Sequence, residues 1–192
     1  MAEAARYNLA LFGPAGSGKG TQAEFLKREL GVEHIATGEM LRQEQGRGSE
    51  LGQTLAAYLD AGRLVPDEVI VAMIRHRLAE PQADAGFVLD GFPRTVAQAR
   101  ALQEMLAGLD RPLDAAVVLE VPNEQLVERL ARRSSAELRT DDTPAVIAER
   151  LRIYHEETEP VLEFLAQSVR VLRLNGARPM QVVSQDVLRA IA

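Results

Sequence analysis

The stretch GPAGSGKGT occupies residues 13–21 and follows directly on the apolar run LALF at residues 9–12. This pattern predicts a short buried strand, a glycine-rich turn, a lysine and then a helix. Glycines can adopt positive φ angles and let the backbone approach an anion closely. Successive N–H groups then point inward at the N-terminus of the helix. Lys19 adds a mobile positive charge, so the stretch predicts a loop that cradles the phosphates of a nucleoside triphosphate.

Lysine is rare in this chain, which makes Lys19 informative. Among the 22 Lys and Arg residues, the only lysines are Lys19 and Lys27. A compact ammonium on a thin stem fits inside a backbone loop, whereas a planar guanidinium does not. The general phosphate-loop motif places Ser or Thr directly after its lysine, but here Gly20 separates Lys19 from Thr21.

The composition describes one globular domain without thiol chemistry. The chain has 192 residues, of which 46% are hydrophobic, and a net charge of −6. That charge argues against a nonspecific nucleic-acid partner. Cysteine is absent, which excludes disulfides and thiolate metal sites. No apolar run approaches the ~18–20 residues that span a bilayer, and the first residues lack an apolar signal core. We therefore expect a cytoplasmic protein with no membrane partner.

Strand-like runs alternate with helical patterns along the chain. The candidate strands are residues 7–12, 32–36, 87–90, 115–121 and 169–174. The candidate helices are residues 21–30, 49–61, 66–78, 95–109, 123–133, 143–165 and 179–191. Pro160 should kink or break the longest of these helices. Short apolar strands suit a parallel sheet that is covered on both faces. The alternation predicts a doubly wound α/β fold.

Two stretches interrupt the alternation. Residues 37–80 have room for about three helices instead of one, and a polar loop lies between Arg133 and Thr143. Insertions of this kind are typical of substrate clamps and lids mounted on a rigid sheet.

Asp90 ends an apolar strand and is followed by the segment GFPR at residues 91–94. Active sites of open α/β sheets lie beyond the C-terminal ends of the strands. Asp90 should therefore lie beside the phosphate loop, where a carboxylate can organise Mg²⁺ through water. A helix cap or a turn is the alternative role, and the neighbouring Arg94 favours the site.

Arginines concentrate at the joints between the predicted elements. Arginine makes bidentate contacts with phosphate groups. The set comprises Arg42, Arg63, Arg94, Arg133, Arg139 and Arg150. Each one taken alone is more readily explained as a solvated surface charge, but together around one cleft they indicate a cage for a transferring phosphoryl group. The three histidines, His34, His76 and His155, show no metal-like spacing and receive no role.

With these segments aligned, the chain resembles the adenylate kinases over nearly its whole length. Residues 13–21 look like the glycine-rich loop of that family, including the glycine between lysine and threonine. The segment TGEMLR at residues 37–42 is similar to the start of its AMP-binding region, and GRLVP at residues 62–66 to the wall of its adenine pocket. The most specific block is LDGFPRT at residues 89–95, followed by Gln98.

The resemblance implies a P-loop kinase fold: a doubly wound five-stranded parallel sheet with helices on both faces, all in one kinase domain. The core would comprise residues 1–36, 66–133 and 143–192, with a monophosphate-binding insertion at 37–65 and a short lid at 134–142. The family's lid often carries a zinc-binding subdomain. Here the loop is short and lacks cysteine, so the resemblance implies a short-lid form without zinc, acting as a monomer.

The resemblance also assigns roles to individual residues. The ATP phosphates and base would be held by Gly16, Ser17, Gly18, Lys19, Gly20, Thr21, Arg129, Arg133 and Arg178. AMP would be held by Thr37, Arg42, Arg63, Leu64, Val65, Gly91, Phe92, Pro93, Arg94, Gln98, Arg139 and Arg150. The catalytic group would comprise Lys19, Asp90, Arg94, Arg133, Arg139 and Arg150, with Asp90 reaching Mg²⁺ through water.

The implied reaction is the reversible, Mg²⁺-dependent transfer of the terminal phosphoryl group of ATP to AMP, giving two ADP, in adenine nucleotide homeostasis. Two alternatives remain open. Another nucleoside monophosphate kinase, such as a UMP/CMP kinase, is the nearer one, and Thr37, Thr95 and Gln98 favour AMP against it. A non-catalytic ATP-binding module is the other, although such a protein should lack part of the cage.

Overall fold

Five parallel strands form a single sheet at the centre of the fold. The structure is a computed structural model that describes residues 6–137 and 143–192, with the backbone alone for 133–137. Within these ranges the strands are β1 (Tyr7–Phe12), β2 (Glu33–Ala36), β3 (Gly86–Asp90), β4 (Ala115–Glu120) and β5 (Arg170–Asn175). Their order across the sheet is β2-β3-β1-β4-β5. The predicted five-stranded parallel α/β sheet is confirmed, and each predicted strand lies within one residue of its observed bounds.

The central strands are apolar because helices cover both faces of the sheet. Leu9 on β1 and Val117 on β4 are both fully buried. The register places Asp90 of β3 opposite Leu11 of β1 on one side and opposite Ala36 of β2 on the other. The carboxyl ends of these three strands therefore meet at one edge of the sheet, and the loops that follow them share one crevice.

Helices connect the strands and pack on both faces. They are α1 (Lys19–Leu30), α2 (Thr37–Gly46), α3 (Glu50–Asp60), α4 (Asp67–Leu78), α5 (Val96–Gly108), α6 (Asn123–Glu137), α7 (Pro144–Ile153), α8 (Glu159–Leu165) and α9 (Met180–Ile191). A 3₁₀ turn covers Pro81–Ala85, and a π-helical turn covers Tyr154–Thr158. One hydrophobic cluster joins α4, α5 and α8 to the sheet, and the other joins α1 and α9 to its opposite face.

The insertion after β2 contains the three helices expected in residues 37–80. The α2 and α3 helices pack tightly because Gly52 lies against the end of α2, where a Cβ atom would come within 2.4 Å of the Glu44 carbonyl oxygen. The hydroxyl of Ser49 caps α3 by accepting a hydrogen bond from the Gly52 N–H at 2.9 Å. The first two of these helices therefore form a pair at the carboxyl edge of β2.

Three predicted helices differ from the observed ones by more than one residue or in their continuity. Helix α1 begins at Lys19 instead of residue 21, because Gly18 at its N-cap adopts a left-handed φ of 97° and ends the loop. Helix α6 continues to Glu137, past the predicted end at 133 and into the predicted lid. The predicted helix 143–165 consists of α7, the π-helical turn and α8, with Pro160 in the first turn of α8. The chain stays helical through Pro160, so the predicted kink or break takes the form of the π-helical turn directly before α8. In the described part of the chain, every helix is too short or too polar to cross a membrane.

Candidate active site

The phosphate loop connects β1 to α1 at the carboxyl edge of the sheet. Gly13 adopts φ 141°, and a Cβ atom there would lie 2.6 Å from Ser17 Oγ and 2.8 Å from the Leu119 carbonyl oxygen. A side chain at this position would therefore displace the loop from the ends of β1 and β4. The Ser17 N–H closes the turn by donating to the Pro14 carbonyl at 3.2 Å. The loop ends at the N-terminus of α1, which favours bound anions.

The ammonium of Lys19 lies inside this loop. Its Nζ donates to the Gly13 carbonyl oxygen at 2.6 Å and to the Pro14 carbonyl oxygen at 2.9 Å. These contacts hold the ammonium against the loop backbone, where phosphate oxygens bound by the loop would meet its charge. Lys19 thus stabilises the loop through hydrogen bonds and also supplies its positive charge. The glycine pattern alone does not indicate the first of these functions.

Asp90 lies beside the phosphate loop. A Cβ atom at Gly20 would be 3.4 Å from Asp90 Oδ2, and the same oxygen is 3.5 Å from His34 Nε2. Burial raises the pKa of Asp90, but the His34 contact and the charge of Lys19 outweigh burial, and the net pKa is lowered. Asp90 is therefore ionised at neutral pH and presents a negative charge next to the phosphate site.

His34 is a member of this site that the sequence analysis left without a role. Its side chain is only 4% exposed, and its Nδ1 lies 2.6 Å from Glu24 Oε1. Burial lowers the pKa of His34. The two neighbouring carboxylates, Asp90 and Glu24, raise it by more than burial lowers it, so the net pKa lies above its ordinary value. Spacing could not reveal this residue, because its partners come from β3 and α1.

Three arginines converge across the cleft from the phosphate loop. Arg94 Nε donates to the Gly91 carbonyl oxygen at 2.8 Å. Arg94 is solvent-accessible but lies deep in the cleft, and partial loss of hydration there lowers its pKa. Asp90 opposes that shift, whereas the positive charges of Arg150 and Arg42 add to it. Three guanidinium groups within electrostatic range of one another form a strongly positive pocket suited to phosphate.

Thr37 and Gln98 are both buried on the same side of the cleft as these arginines. Thr37 Oγ1 donates to the carbonyl oxygens of Asp90 and Gly91, at 3.2 and 3.0 Å. Gln98 is only 2% exposed, so it is not a solvated residue of the helix surface. Its Oε1 accepts a hydrogen bond from the Arg94 N–H at 2.7 Å. These contacts fix the segment between β3 and α5 against the start of α2.

Arg129 and Arg178 lie on the opposite side of the phosphate loop. Arg129 Nη2 donates to the Gly176 carbonyl oxygen at 3.1 Å and spans from α6 to the loop after β5. Arg178 pairs with Asp186 at 2.7 Å on the same side. Both arginines line the cleft, so cationic groups lie on both sides of the phosphate loop.

One continuous cleft of about 730 Å³ joins these regions. Its walls include every predicted site residue whose side chain the structure describes: Gly16, Ser17, Gly18, Lys19, Gly20, Thr21, Thr37, Arg42, Arg63, Leu64, Val65, Asp90, Gly91, Phe92, Pro93, Arg94, Gln98, Arg129, Arg150 and Arg178. The side chain of Arg133, residue Arg139 and most of the predicted lid at 134–142 lie outside the described residues. The positions of these predicted site residues therefore stay predictions.

Two more residues support the site through contacts that the sequence analysis missed. Asp67, in the first turn of α4, accepts hydrogen bonds from Gln98 Nε2 at 2.7 Å and from Thr95 Oγ1 at 3.0 Å. Thr158, in the π-helical turn, donates to the Arg94 carbonyl oxygen at 3.1 Å. Thr95 does not line the cleft, and its hydroxyl caps α5 and donates to Asp67. The Pro66-Asp67 pair predicts a helix start, but no local pattern indicates these distant partners.

Comparison with known proteins agrees with the geometry. A family model described as adenylate kinase matches residues 11–169. An adenylate kinase of Stenotrophomonas maltophilia is 45% identical over 183 residues, which cover 95% of this chain and 98% of that protein. One from Cyanothece sp. is 44% identical over 179 residues, covering 93% and 92%, respectively. One from Thermobifida fusca is 43% identical over 183 residues, covering 95% and 97%. A chain that combines this phosphate cleft with such similarity over nearly its full length belongs to the adenylate kinase family of phosphotransferases.

Proposed function

We propose that this enzyme reversibly transfers the terminal phosphoryl group of ATP to AMP, giving two ADP, and so balances the adenine nucleotides. The observation that carries this proposal is the cleft itself. It places the phosphate loop with Lys19 beside Asp90 and faces them with Arg42, Arg94 and Arg150. A single phosphate-binding loop would suit ATP binding alone, whereas a second cationic pocket across the cleft suits a phosphorylated acceptor.

The chemistry requires no general base. An AMP phosphate oxygen is the nucleophile, and a phosphate monoester with its second pKa near ~6 is largely ionised at neutral pH. The protein then has to align two phosphates and neutralise charge on the group in transfer. Lys19 and the loop N–H groups would act on the donor phosphates, and Arg42, Arg94 and Arg150 on the acceptor and the transferring group. Arg133 and Arg139 are proposed to join them.

Magnesium suits this site as an ion bound to the nucleotide phosphates rather than as one enclosed by protein ligands. Among the described residues, no group of three or more acidic or histidine side chains could enclose a metal ion. Asp90, whose pKa is lowered and which lies beside Gly20, would hold the water shell of a phosphate-bound ion. Bound with ATP, Mg²⁺ would neutralise charge on the phosphate oxygens.

Exclusion of water would protect ATP from hydrolysis. We propose that the insertion at residues 37–65 acts as the clamp over AMP and that residues 134–142 act as a short lid. Support for a short lid comes from the spacing along the chain, since α6 includes Glu137 and α7 begins at Pro144, which leaves few residues between them.

We further propose that the enzyme is a cytoplasmic monomer without nucleic-acid or membrane partners. The net charge of −6 disfavours nucleic acid, and a single chain supplies both cationic sides of the cleft. Size-exclusion chromatography with light scattering would test the monomer, because a mass twice the 21.0 kDa of the chain would refute it.

The reaction is tested by incubating the purified enzyme with ATP, Mg²⁺ and each nucleoside monophosphate in turn, and separating the products. We expect ADP from ATP and AMP, with AMP used far better than UMP or CMP. ADP alone should yield ATP and AMP in the reverse direction. Turnover of UMP or CMP without turnover of AMP would instead identify a pyrimidine nucleotide kinase, and no turnover with any acceptor would indicate an ATP-binding module.

Zinc content provides a separate test of the short-lid form. The chain has no cysteine, which removes the thiolate ligands of common structural zinc sites. We expect elemental analysis of chelator-washed, active enzyme to find far less than one zinc per chain. Stoichiometric zinc would show that histidine and carboxylate ligands build a metal site in the folded protein.

A further inference from the structure

The side-chain amide of Gln98 is held from both ends inside the protein. Its Oε1 accepts from the Arg94 N–H at 2.7 Å, and its Nε2 donates to Asp67 Oδ1 at 2.7 Å. The side chain is 2% exposed, yet it forms part of the cleft wall. Asp67 does not line the cleft, and its hydrogen bond to Gln98 connects it to a residue that does.

The two partners allow only one orientation of this amide. A backbone N–H can only donate a hydrogen bond, and an ionised carboxylate can only accept one. The oxygen of Gln98 must therefore face Arg94, and its NH₂ group must face Asp67. The flipped amide would set two donors against each other at Arg94 and an oxygen against the carboxylate at Asp67.

Asp67 is itself fixed by a closed ring of hydrogen bonds. Thr95 Oγ1 donates to its second oxygen, Oδ2, at 3.0 Å and accepts from the Gln98 N–H at 3.1 Å. The carboxylate thus bonds directly to the side chain of Gln98 and, through the Thr95 hydroxyl, to its backbone N–H. Because this ring fixes the position of the Asp67 carboxylate, the carboxylate can orient the amide. A surface side chain that rotates freely could not orient it.

The fixed amide keeps one donor and one acceptor for a ligand. The NH₂ group has a second hydrogen, and the carbonyl oxygen has a second lone pair. Adenine offers an acceptor at N1 next to a donor at its 6-amino group, which complements this pair. A 6-oxopurine carries the opposite pattern, with a hydrogen on N1 and an acceptor at O6. Only the flipped amide would complement a 6-oxopurine.

We propose that Asp67 is a specificity-determining positioning residue, which orients the Gln98 amide so that the acceptor site accepts adenine and rejects 6-oxopurines. The inference rests on the proposed function, since it takes AMP as the ligand of this side of the cleft. It assigns base discrimination to a carboxylate that never touches the base.

The test compares AMP and IMP as acceptors with ATP and Mg²⁺ in the wild type, Asp67→Ala and Asp67→Asn. IMP differs from AMP only in the groups that the amide would read. Asp67→Ala removes the acceptor that holds the NH₂ group, so the kcat/KM ratio of AMP to IMP should fall by about tenfold, mainly through KM. The carboxamide that Asp67→Asn introduces can turn either a donor or an acceptor toward Gln98, so this variant should lower the ratio by about threefold.

Glu68→Ala is the matched control, because Glu68 is an exposed carboxylate in the same first turn of α4. It should leave the ratio within about twofold of the wild type. Thermal melting checks that each variant is folded at the assay temperature. If Asp67→Ala is not folded, the same ratio in Asp67→Asn decides.

An unchanged AMP-to-IMP ratio in the deciding variant would overturn the inference, even if both activities fell, because equal losses indicate a merely structural ring. A failure of the proposed function looks different. In that case the wild type itself would form no ADP from ATP and AMP, whatever the variants do.

Discussion

Replacing Lys19 with methionine should lower kcat by about 10²–10³-fold, the usual effect of losing one preorganised electrostatic group at a reacting centre. Methionine has a similar length but carries no charge to place among the phosphate oxygens. It also loses the two hydrogen bonds to Gly13 and Pro14, so the free energy of unfolding should fall by about 1–2 kcal/mol. Steady-state kinetics with ATP and AMP, together with thermal melting, measure both effects.

Lys27→Met is the control for this substitution. Lys27 is the second lysine of the chain and is exposed near the C-terminal end of α1, so its replacement should leave kcat within about twofold. A Lys19→Met enzyme with a turnover similar to that of the control would show that the phosphate loop does not stabilise the transferring group.

Replacing Gln98 with alanine should lower kcat/KM for AMP by about 5–150-fold, since base edges and buried protein groups would lose partners that are together worth about 1–3 kcal/mol. The loss should fall on AMP, with KM for ATP nearly unchanged, and the preference for AMP over CMP should decrease. The substitution also leaves the Arg94 N–H and the Asp67 carboxylate without the amide. Melting temperatures must therefore accompany the kinetics.

Gln103→Ala is the matched control on the same helix, where Gln103 bonds to Ser168 Oγ at 2.9 Å away from the cleft. It removes the same side chain from α5 without touching the acceptor side. If Gln98→Ala kept the wild-type ratio of AMP to CMP, Gln98 would only support the loop around Arg94 and would not read the base.

Much of the fold follows from local patterns in the sequence. The apolar runs that contain Leu9, Val88 and Val117 predict strands because only a sheet covered on both faces buries every side chain of such a run. The glycines of residues 13–20 predict the phosphate loop because few other residues adopt its backbone angles. The position of Asp90 at the end of a strand predicts its place at the carboxyl edge, next to that loop.

Partners that come together from distant parts of the chain could not be predicted in this way. Asp67 and Gln98 are 31 residues apart, and Thr158 and Arg94 are 64 residues apart. Their contacts depend on how α4, α5 and the π-helical turn are packed, which periodicity does not specify. The local sequence predicts for Asp67 only the ordinary role of an acidic residue at a helix start. It gives no indication of the contact with Gln98.

The strand order β2-β3-β1-β4-β5 has a consequence for inheritance. Strands β2 and β3 and the helices around them come from one uninterrupted stretch of sequence, which begins after α1 and ends with α5. Thr37, Asp67, Thr95 and Gln98 all lie within it, whereas the phosphate loop, Arg129 and Arg178 lie outside. One recombination event that exchanges this stretch between relatives would transfer the whole hydrogen-bonded ring intact. Point substitutions, in contrast, would have to change its members one at a time through mismatched intermediates.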